Sequence, residues 1–235
     1  MKKIIIFGVS VLFTLLLALP LQALTLSSVE GTWVNPNPAN ANIHYYNDVS
    51  IAYGNGSEDQ IRWGYATISG DQSGLGFTGV APPPSSFDID EPFQIGQLRH
   101  FNEPVYPPVV SSVDLEIYLS FADPAINKTF TFTFNVDETP NTTGDDWKDR
   151  DFIYFPNSYP KETFELDGVL YTLQLLGFGD DPSNLVTHFE SPENSINSTL
   201  LWGKITNPVP EPATIFLVCA GFLGFLGLKR KNKLR

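Results

Sequence analysis

Apolar and polar residues alternate in VDLEIYLSF (113–121) and again in TFTFTFNV (129–136). A period of two residues predicts β-strands that bury one face and expose the other to water. Asp123-Pro124 interrupts the alternation between them, as turn residues do. We therefore expect a hairpin with a longer loop, built from strands whose Phe, Ile, Leu and Val side chains face a core.

A second hairpin is indicated by Asp167-Gly168, which lies between the strand-like residues 163–166 and 169–178. Asp-Gly favours a type I′ turn, because both central residues need positive φ. Further strands are predicted at 61–68, 76–80, 152–155 and 200–205. No convincing helical period occurs between residues 24 and 208. Many short strands separated by Pro, Gly, Asn and Asp indicate an all-β ectodomain, a β-sandwich or jelly roll.

The N-terminus has the layout of a secretory signal peptide. Lys2 and Lys3 precede an apolar run over residues 4–19, and Ala23 offers a small residue for cleavage. We predict that residues 1–23 are a signal peptide and are absent from the mature protein.

The C-terminus, residues 207–235, has three parts. Pro210, Glu211 and Pro212 precede an apolar run, and the basic residues that follow it include Lys229, Arg230 and Lys231. The run from Ala213 to Leu228 predicts a transmembrane helix, although it is shorter than the roughly 20 residues of a usual span. The basic tail would stay on the cytoplasmic side. An ordinary tail anchor is one interpretation of this layout.

The sequence VPEPAT (209–214), with the apolar run and basic tail behind it, resembles a PEP-CTERM sorting signal. The resemblance implies an exported protein of a Gram-negative bacterium that makes exopolysaccharide. It also implies that an exosortase-type transpeptidase in the inner membrane recognises the motif and removes the anchor. The three motif residues would then be acted upon, and the protein would move from the inner membrane to the cell surface or extracellular matrix.

The charge distribution narrows the choice of partners. Half of the 14 basic residues lie in the two termini, whereas 25 of the 26 acidic residues lie between them. Such an anionic ectodomain excludes nucleic acid as a partner, because phosphate binding needs a basic surface. The single cysteine, Cys219, lies in the predicted anchor, so the ectodomain has no internal disulfide.

Residues 24–206 form one predicted domain with its own family resemblance. The blocks that carry it are RWG (62–64), SGLGFTG (73–79), PFQIG (92–96), DFIYFP (151–156), LDGVLYTLQLLGFG (166–179) and LWGKI (201–205). Together they are similar to the choice-of-anchor K domain of bacterial surface proteins. The resemblance implies an extracellular β domain and no particular activity.

Markers of catalysis are scarce. His44, His100 and His188 do not pair at metal-ligand spacing, and the sequence lacks a nucleophile elbow and a phosphate-binding loop. His188 and Glu190 share one face of a strand, as a surface pair or as half of a metal or acid–base site. Carboxylate pairs abound, but glycoside hydrolysis needs two at a defined separation across a cleft. We therefore expect a protein that is not an enzyme and has no obligatory cofactor.

An acidic loop over residues 145–151 is the candidate ligand-binding segment. Four carboxylates there are candidate calcium ligands, although their spacing is not that of an EF-hand; they are Asp145, Asp146, Asp149 and Asp151. A solvated acidic loop is the plainer interpretation. Trp147 in the same loop is a candidate glycan contact, since an indole can stack on a sugar; packing over its own loop is the alternative.

These observations predict an exported structural or adhesive protein of the cell envelope, surface or extracellular matrix, linked to exopolysaccharide. A carbohydrate-binding module and a secreted glycoside hydrolase are the two alternatives. The expected partners are the exosortase-type transpeptidase, the inner membrane and extracellular polysaccharide.

Overall fold

The computed structural model describes residues 24–50, 57–67, 71–83, 88–123, 125–155, 161–166 and 168–207. Over these ranges the protein is all-β, as the sequence predicts, and contains no helix. The strands are β1 (Thr25–Asn37), β2 (His44–Ser50), β3 (Ser57–Trp63), β4 (Tyr65–Ala66), β5 (Ser73–Gly79), β6 (Pro92–Asn102), β7 (Val105–Tyr106), β8 (Ser112–Asp123), β9 (Ala125–Asp137), β10 (Asp151–Tyr154), β11 (Lys161–Leu166), β12 (Val169–Phe178), β13 (His188–Ser191) and β14 (Ser195–Thr206).

Two large antiparallel sheets face each other across the core. One has five strands in the order β1-β8-β9-β10-β13, and the other has seven in the order β11-β12-β14-β6-β5-β3-β2. A small ribbon pairs β4 with β7. Aromatic pairs join the two large sheets: Phe164 of β11 lies 5.1 Å from Phe130 of β9 between ring centroids, and Phe178 of β12 lies 6.2 Å from Phe134 of β9. The arrangement is a β-sandwich.

The first predicted hairpin is present as β8 and β9, with Val113 opposite Phe134 and Ile117 opposite Phe130. The prediction of a longer loop is wrong. The ladder continues to Ala122 opposite Ala125, so only two residues separate the last pair of the hairpin. Residues 125–128 lack large buried side chains but keep the ladder hydrogen bonds, and those bonds extend the strand beyond the hydrophobic pattern.

The second predicted hairpin is also confirmed. Strands β11 and β12 pair with Leu166 opposite Val169, and Gly168 has the positive φ, 77°, that the Asp-Gly signal predicts. Asp167 lies outside the described residues.

The alternating side chains fill the core as expected. Leu115, Ile117, Phe132 and Phe134 are all at most 2% exposed. Burial of this apolar area is the main favourable term in folding a domain that has no disulfide.

Both predicted hydrophobic termini, namely the signal peptide at 1–23 and the motif and helix within 208–235, lie outside the described residues. Within the described ranges, no helix is long and apolar enough to cross a membrane.

Candidate functional site

A group of polar side chains lies at one end of the sandwich, with His100 and Asp151 buried and Glu138 half-buried. His100 of β6, Glu138 just after β9 and Asp151 at the start of β10 bring one potential ligand atom each within 4.8 Å of one another. We call these three residues the buried cluster. His100 continues the core-facing positions of Ile95 and Leu98 along β6, and its side chain is fully buried. The cluster thus lies where the apolar core gives way to polar residues.

Trp63 frames the cluster from β3. Its ring stacks on His100 with centroids 6.3 Å apart, and its Nε1 donates a hydrogen bond to Glu138 Oε2 at 3.0 Å. Asp151 Oδ1 accepts a hydrogen bond of 2.8 Å from the backbone N–H of Thr139. These contacts hold all three side chains in place: His100 by ring stacking, and Glu138 and Asp151 by hydrogen bonds.

Three polar atoms of the cluster lack a hydrogen-bond partner among the described residues. Both ring nitrogens of His100 and the Oδ2 of Asp151 are buried without a hydrogen bond to the described residues. His100 Nε2 lies 4.0 Å from Asp151 Oδ2, which is too far for a hydrogen bond. Nearby, Asn102 Oδ1 and Glu193 Oε2 are also buried without a hydrogen-bond partner in the described part of the chain. Such groups are rare in folded proteins, because an unsatisfied buried polar atom is costly.

Burial shifts the protonation equilibria of the cluster. It raises the pKa of Asp151 to about 9, and the negative charge of Glu138 adds to the effect. Burial likewise raises the pKa of Glu138 and of Glu193 to about 7. It lowers the pKa of His100 to about 3, with a smaller contribution from Arg62. Burial therefore favours a neutral imidazole and, without an added cation, protonated carboxyl groups.

A surface cavity of about 530 Å³ reaches the cluster through Glu138. Its wall is mostly apolar and includes Pro104, Val105, Tyr106 and Val109. The cavity gives a small solute or ion a path to the edge of the cluster.

A second concave feature lies on the outer face of the seven-stranded sheet. We call it the sheet groove; its volume is about 340 Å³, and it is lined by Tyr46, Val49, Gln60, Arg62, Asp71, Gln72, Phe101, Glu103 and Ile196. The guanidinium of Arg62 lies 3.3 Å from the centre of the Phe101 ring. Tyr46 and Ile196 are 49% and 56% exposed, so apolar surface lies beside hydrogen-bonding groups here.

The structure places the four predicted calcium ligands in different surroundings. Asp145 pairs with Lys148 at 3.0 Å, and Asp146 Oδ1 accepts a hydrogen bond from Asn194. Asp149 accepts hydrogen bonds from the backbone N–H groups of residues 143 and 144. Of the four, only Asp151 belongs to the metal-suited group found among the described residues. Calcium at the loop stays a prediction.

Trp147, the predicted glycan contact, is 57% exposed. The guanidinium of Arg150 lies 5.0 Å from its ring centre, so one face of the indole is partly covered. Contact with a glycan stays a prediction.

His188 and Glu190 lie near this loop. His188 Nε2 lies 3.3 Å from Glu190 Oε1, and Glu190 also accepts a hydrogen bond from Arg150, which is the geometry of an exposed surface pair.

Sequence reasoning missed His100, Glu138 and Glu193 as site residues. One available signal was the pattern of β6, where His100 occupies a position that alternation assigns to the core. Pairing of β9 with β10 brings Glu138 beside Asp151, and packing of the two sheets brings His100 to both. Local spacing in the sequence encodes neither.

Comparison with known proteins bears on the C-terminus. Residues 208–231 match the PEP-CTERM protein-sorting motif. This motif marks an exported protein that an exosortase-type system processes during membrane-associated sorting toward the cell surface. No curated protein matches the chain.

Proposed function

We propose that this protein is a non-enzymatic adhesive or structural component of the cell surface or extracellular matrix, and that its β-sandwich binds extracellular polysaccharide. The observation that carries the proposal is the sorting motif at residues 208–231. The blocks of residues between 62 and 205 further support a choice-of-anchor K-type domain. The proposed final location is the matrix or outer surface of a Gram-negative bacterium, after removal of the anchor.

The sheet groove supports polysaccharide as the ligand. Tyr46 offers an exposed aromatic face on which a pyranose can stack. Gln60, Asp71 and Glu103 place amide and carboxylate groups in the same groove, where they can hydrogen-bond sugar hydroxyls. Apolar surface with a few convergent polar groups is typical of small-ligand sites.

The buried cluster and its cavity lack the geometry of a glycosidase site. A glycosidase needs two carboxyl groups that face one substrate across a cleft. Asp151 is only 1% exposed at its side chain, and Glu138 is the one carboxylate among the described residues that line the adjoining cavity. A sugar in that cavity would thus meet one carboxyl group of the described chain.

Binding of polysaccharide purified from the producing bacterium to the full chain in detergent tests this proposal. We expect Tyr46→Ala to weaken binding about tenfold, which corresponds to about 1.4 kcal/mol. Tyr65→Ala is the matched control, because Tyr65 is 51% exposed and is absent from the groove lining. Loss of binding in Trp147→Ala but not in Tyr46→Ala would place the glycan on the acidic loop. No binding to the polysaccharide by the unmodified protein would reject the proposed ligand.

The sorting half of the proposal has its own test. The intact mass of the protein is measured from cells with and without the exosortase-type transpeptidase. We expect loss of both termini in the first case and retention of the C-terminal segment in the second. Equal masses would reject processing by that enzyme.

A further inference from the structure

We propose that His100, Glu138 and Asp151 bind one divalent transition-metal ion of the zinc or manganese class. The side chains come from β6, from the segment after β9 and from β10, so three separate parts of the fold supply the ligands. Their candidate ligand atoms lie within 4.8 Å of one another.

The strongest observation is the imidazole of His100. It is fully buried, and neither ring nitrogen has a hydrogen-bond partner among the described residues. Its Nε2 faces Asp151 Oδ2, likewise unpartnered, across 4.0 Å. Zinc forms bonds of about 2.0–2.2 Å to nitrogen and carboxylate oxygen. An ion between these two atoms would therefore satisfy both at ordinary bond lengths, whereas a direct hydrogen bond cannot form.

The charges around the cluster also favour a bound metal ion. Buried carboxylates are normally paired with a cation or coordinate a metal. Within the described chain, no lysine or arginine forms an ion pair with Glu138, Asp151 or Glu193. Arg62, the basic residue whose charge acts on His100, donates its hydrogen bonds to Gln60 and to the backbone of Gln72 instead. The cluster thus has the donors for a cation and no cationic side chain of its own.

The donor set selects the class of metal. Calcium takes six to eight oxygen ligands, whereas a neutral imidazole with carboxylates suits zinc and related ions. Metal ligands must be deprotonated, so binding of an ion by these side chains would release any protons that they carry. Glu138 also lines the surface cavity, so an ion can enter there and keep one coordination position toward solvent.

The competing explanation is a metal-free cluster in which protonated carboxyl groups and buried water satisfy the same atoms. It predicts no stoichiometric metal. The two explanations therefore differ in a directly measurable quantity.

The test uses the full chain purified in detergent, stripped with a chelator and titrated separately with zinc, manganese and calcium. We expect one equivalent of zinc or manganese per chain by elemental analysis, tighter binding than calcium by calorimetry, and a higher melting temperature when the ion is bound. Asp151→Asn and Glu138→Gln should each weaken binding at least about tenfold, since loss of even an outer-shell partner typically costs 10–100-fold. His188→Asn is the control for adventitious binding to an exposed histidine, because its side chain is 48% exposed, and it should bind as the unmodified chain does.

Three results would each overturn the proposal. They are the absence of stoichiometric zinc and manganese, unchanged affinity in both carboxylate variants, and calcium binding at least as tight as that of either transition metal. Should a variant fail to fold, cobalt(II) absorption of the unmodified chain decides. Bands of a site with nitrogen and oxygen ligands support the proposal, and the spectrum of the free aqueous ion rejects it.

Discussion

Two buried carboxylates in this sandwich have opposite surroundings. Glu58, on the outer face of the seven-stranded sheet, is fully buried and accepts hydrogen bonds from Arg99 Nε at 2.6 Å and Nη2 at 2.7 Å. Gln60 donates a third, at 2.6 Å. Asp151, between the sheets, is equally buried, and its Oδ1 accepts hydrogen bonds from the backbone N–H of Thr139 at 2.8 Å and from the Thr139 hydroxyl at 3.4 Å, but its Oδ2 has no partner among the described residues.

The difference shows that the fold is able to satisfy a buried acid from within its own sequence. At Glu58 even the backbone is adapted: a side chain at Gly76 would lie 2.6 Å from the Glu58 carboxyl carbon, so glycine makes room for the ion pair. The incomplete satisfaction of Asp151 is therefore a local property of the buried cluster. A buried carboxylate oxygen without a partner is expected at a cation-binding site and is not expected in a completed ion pair.

The largest effect is expected when the ion pair between Arg99 and Glu58 is broken. Arg99→Met should lower the free energy of unfolding by about 3–5 kcal/mol, because it leaves the Glu58 carboxylate buried without its cation. Equilibrium urea unfolding measures the loss. The double variant Glu58→Gln/Arg99→Met is the control and should recover most of the stability, since no charge remains to be buried. A loss below about 1 kcal/mol in Arg99→Met would mean that water, not Arg99, satisfies Glu58.

The second prediction concerns pH in the chelated protein. The pKa of Asp151 is raised to about 9 in the folded state, so the folded chain binds more protons than the unfolded chain between pH 4 and 9. The stability that Asp151 contributes is therefore greatest below the pKa of Asp151 in the unfolded chain and is lost as the pH rises through its pKa in the folded chain. From pH 7 to 9 we expect a loss of up to about 1.4 kcal/mol per pH unit.

Neighbouring groups change the pH dependence of stability only near pH 7 and below. Glu138 and Glu193 have raised pKa values of about 7, and His100 contributes between pH 6.5 and 3, where its depressed pKa makes stability rise with pH. Urea unfolding at pH 7, 8 and 9 gives the measurement, and Asp151→Asn should flatten it. A stability that increases over this window would contradict the assigned protonation.

A smaller effect is expected from Asp151→Asn itself at pH 7 without metal. The amide oxygen can still accept from Thr139, and the variant no longer has to protonate a carboxyl group on folding. We expect a gain of about 1 kcal/mol in the free energy of unfolding, opposite in sign to the effect of Arg99→Met. With saturating zinc or manganese the order should reverse, because only the unmodified chain gains binding energy. Destabilisation by the variant in chelator would mean that Asp151 is held as a charged group.

Much of the fold could be predicted from the alternation of apolar and polar residues, and strands β8 and β9 show why. Each buried position there carries a large apolar side chain, so periodicity and burial agree. Strands β1, β2 and β13 lack that agreement. In β2 almost every side chain is exposed, and the strand exists because its backbone pairs with β3 at the sheet edge. Pairing with a distant segment leaves no local signal.

The candidate site was harder to predict, because contacts between distant segments leave no local sequence pattern. Asp151 was a predicted metal ligand, but its expected partners were its sequence neighbours. The ladder between β10 and β13 places Asp151 opposite Ser191, and Asn102 Nδ2 donates to Ser191 O at 2.8 Å, which connects β10 with the end of β6. The partners of Asp151 in the cluster are therefore set by the pairing of β10 with β9, which brings Glu138, and by the packing of the two sheets, which brings His100. Neither could be derived from one sequence.

The smallest effect is expected in the acidic loop, where the carboxylate of Asp145 is exposed, unlike those of Glu58 and Asp151. The side chains of Asp145 and Lys148 are 45% and 68% exposed, so water solvates both charges whether or not they pair. We expect Lys148→Ala to leave the melting temperature unchanged within error in chelator, as exposed ion pairs contribute little. Calcium adds a sharper outcome. If the loop binds calcium through Asp145, removal of the competing ammonium should enlarge the calcium-induced rise in melting temperature, and Asp145→Asn should abolish it. An identical response to calcium in Lys148→Ala, Asp145→Asn and the unmodified chain would place any bound calcium elsewhere and leave the loop as solvated surface.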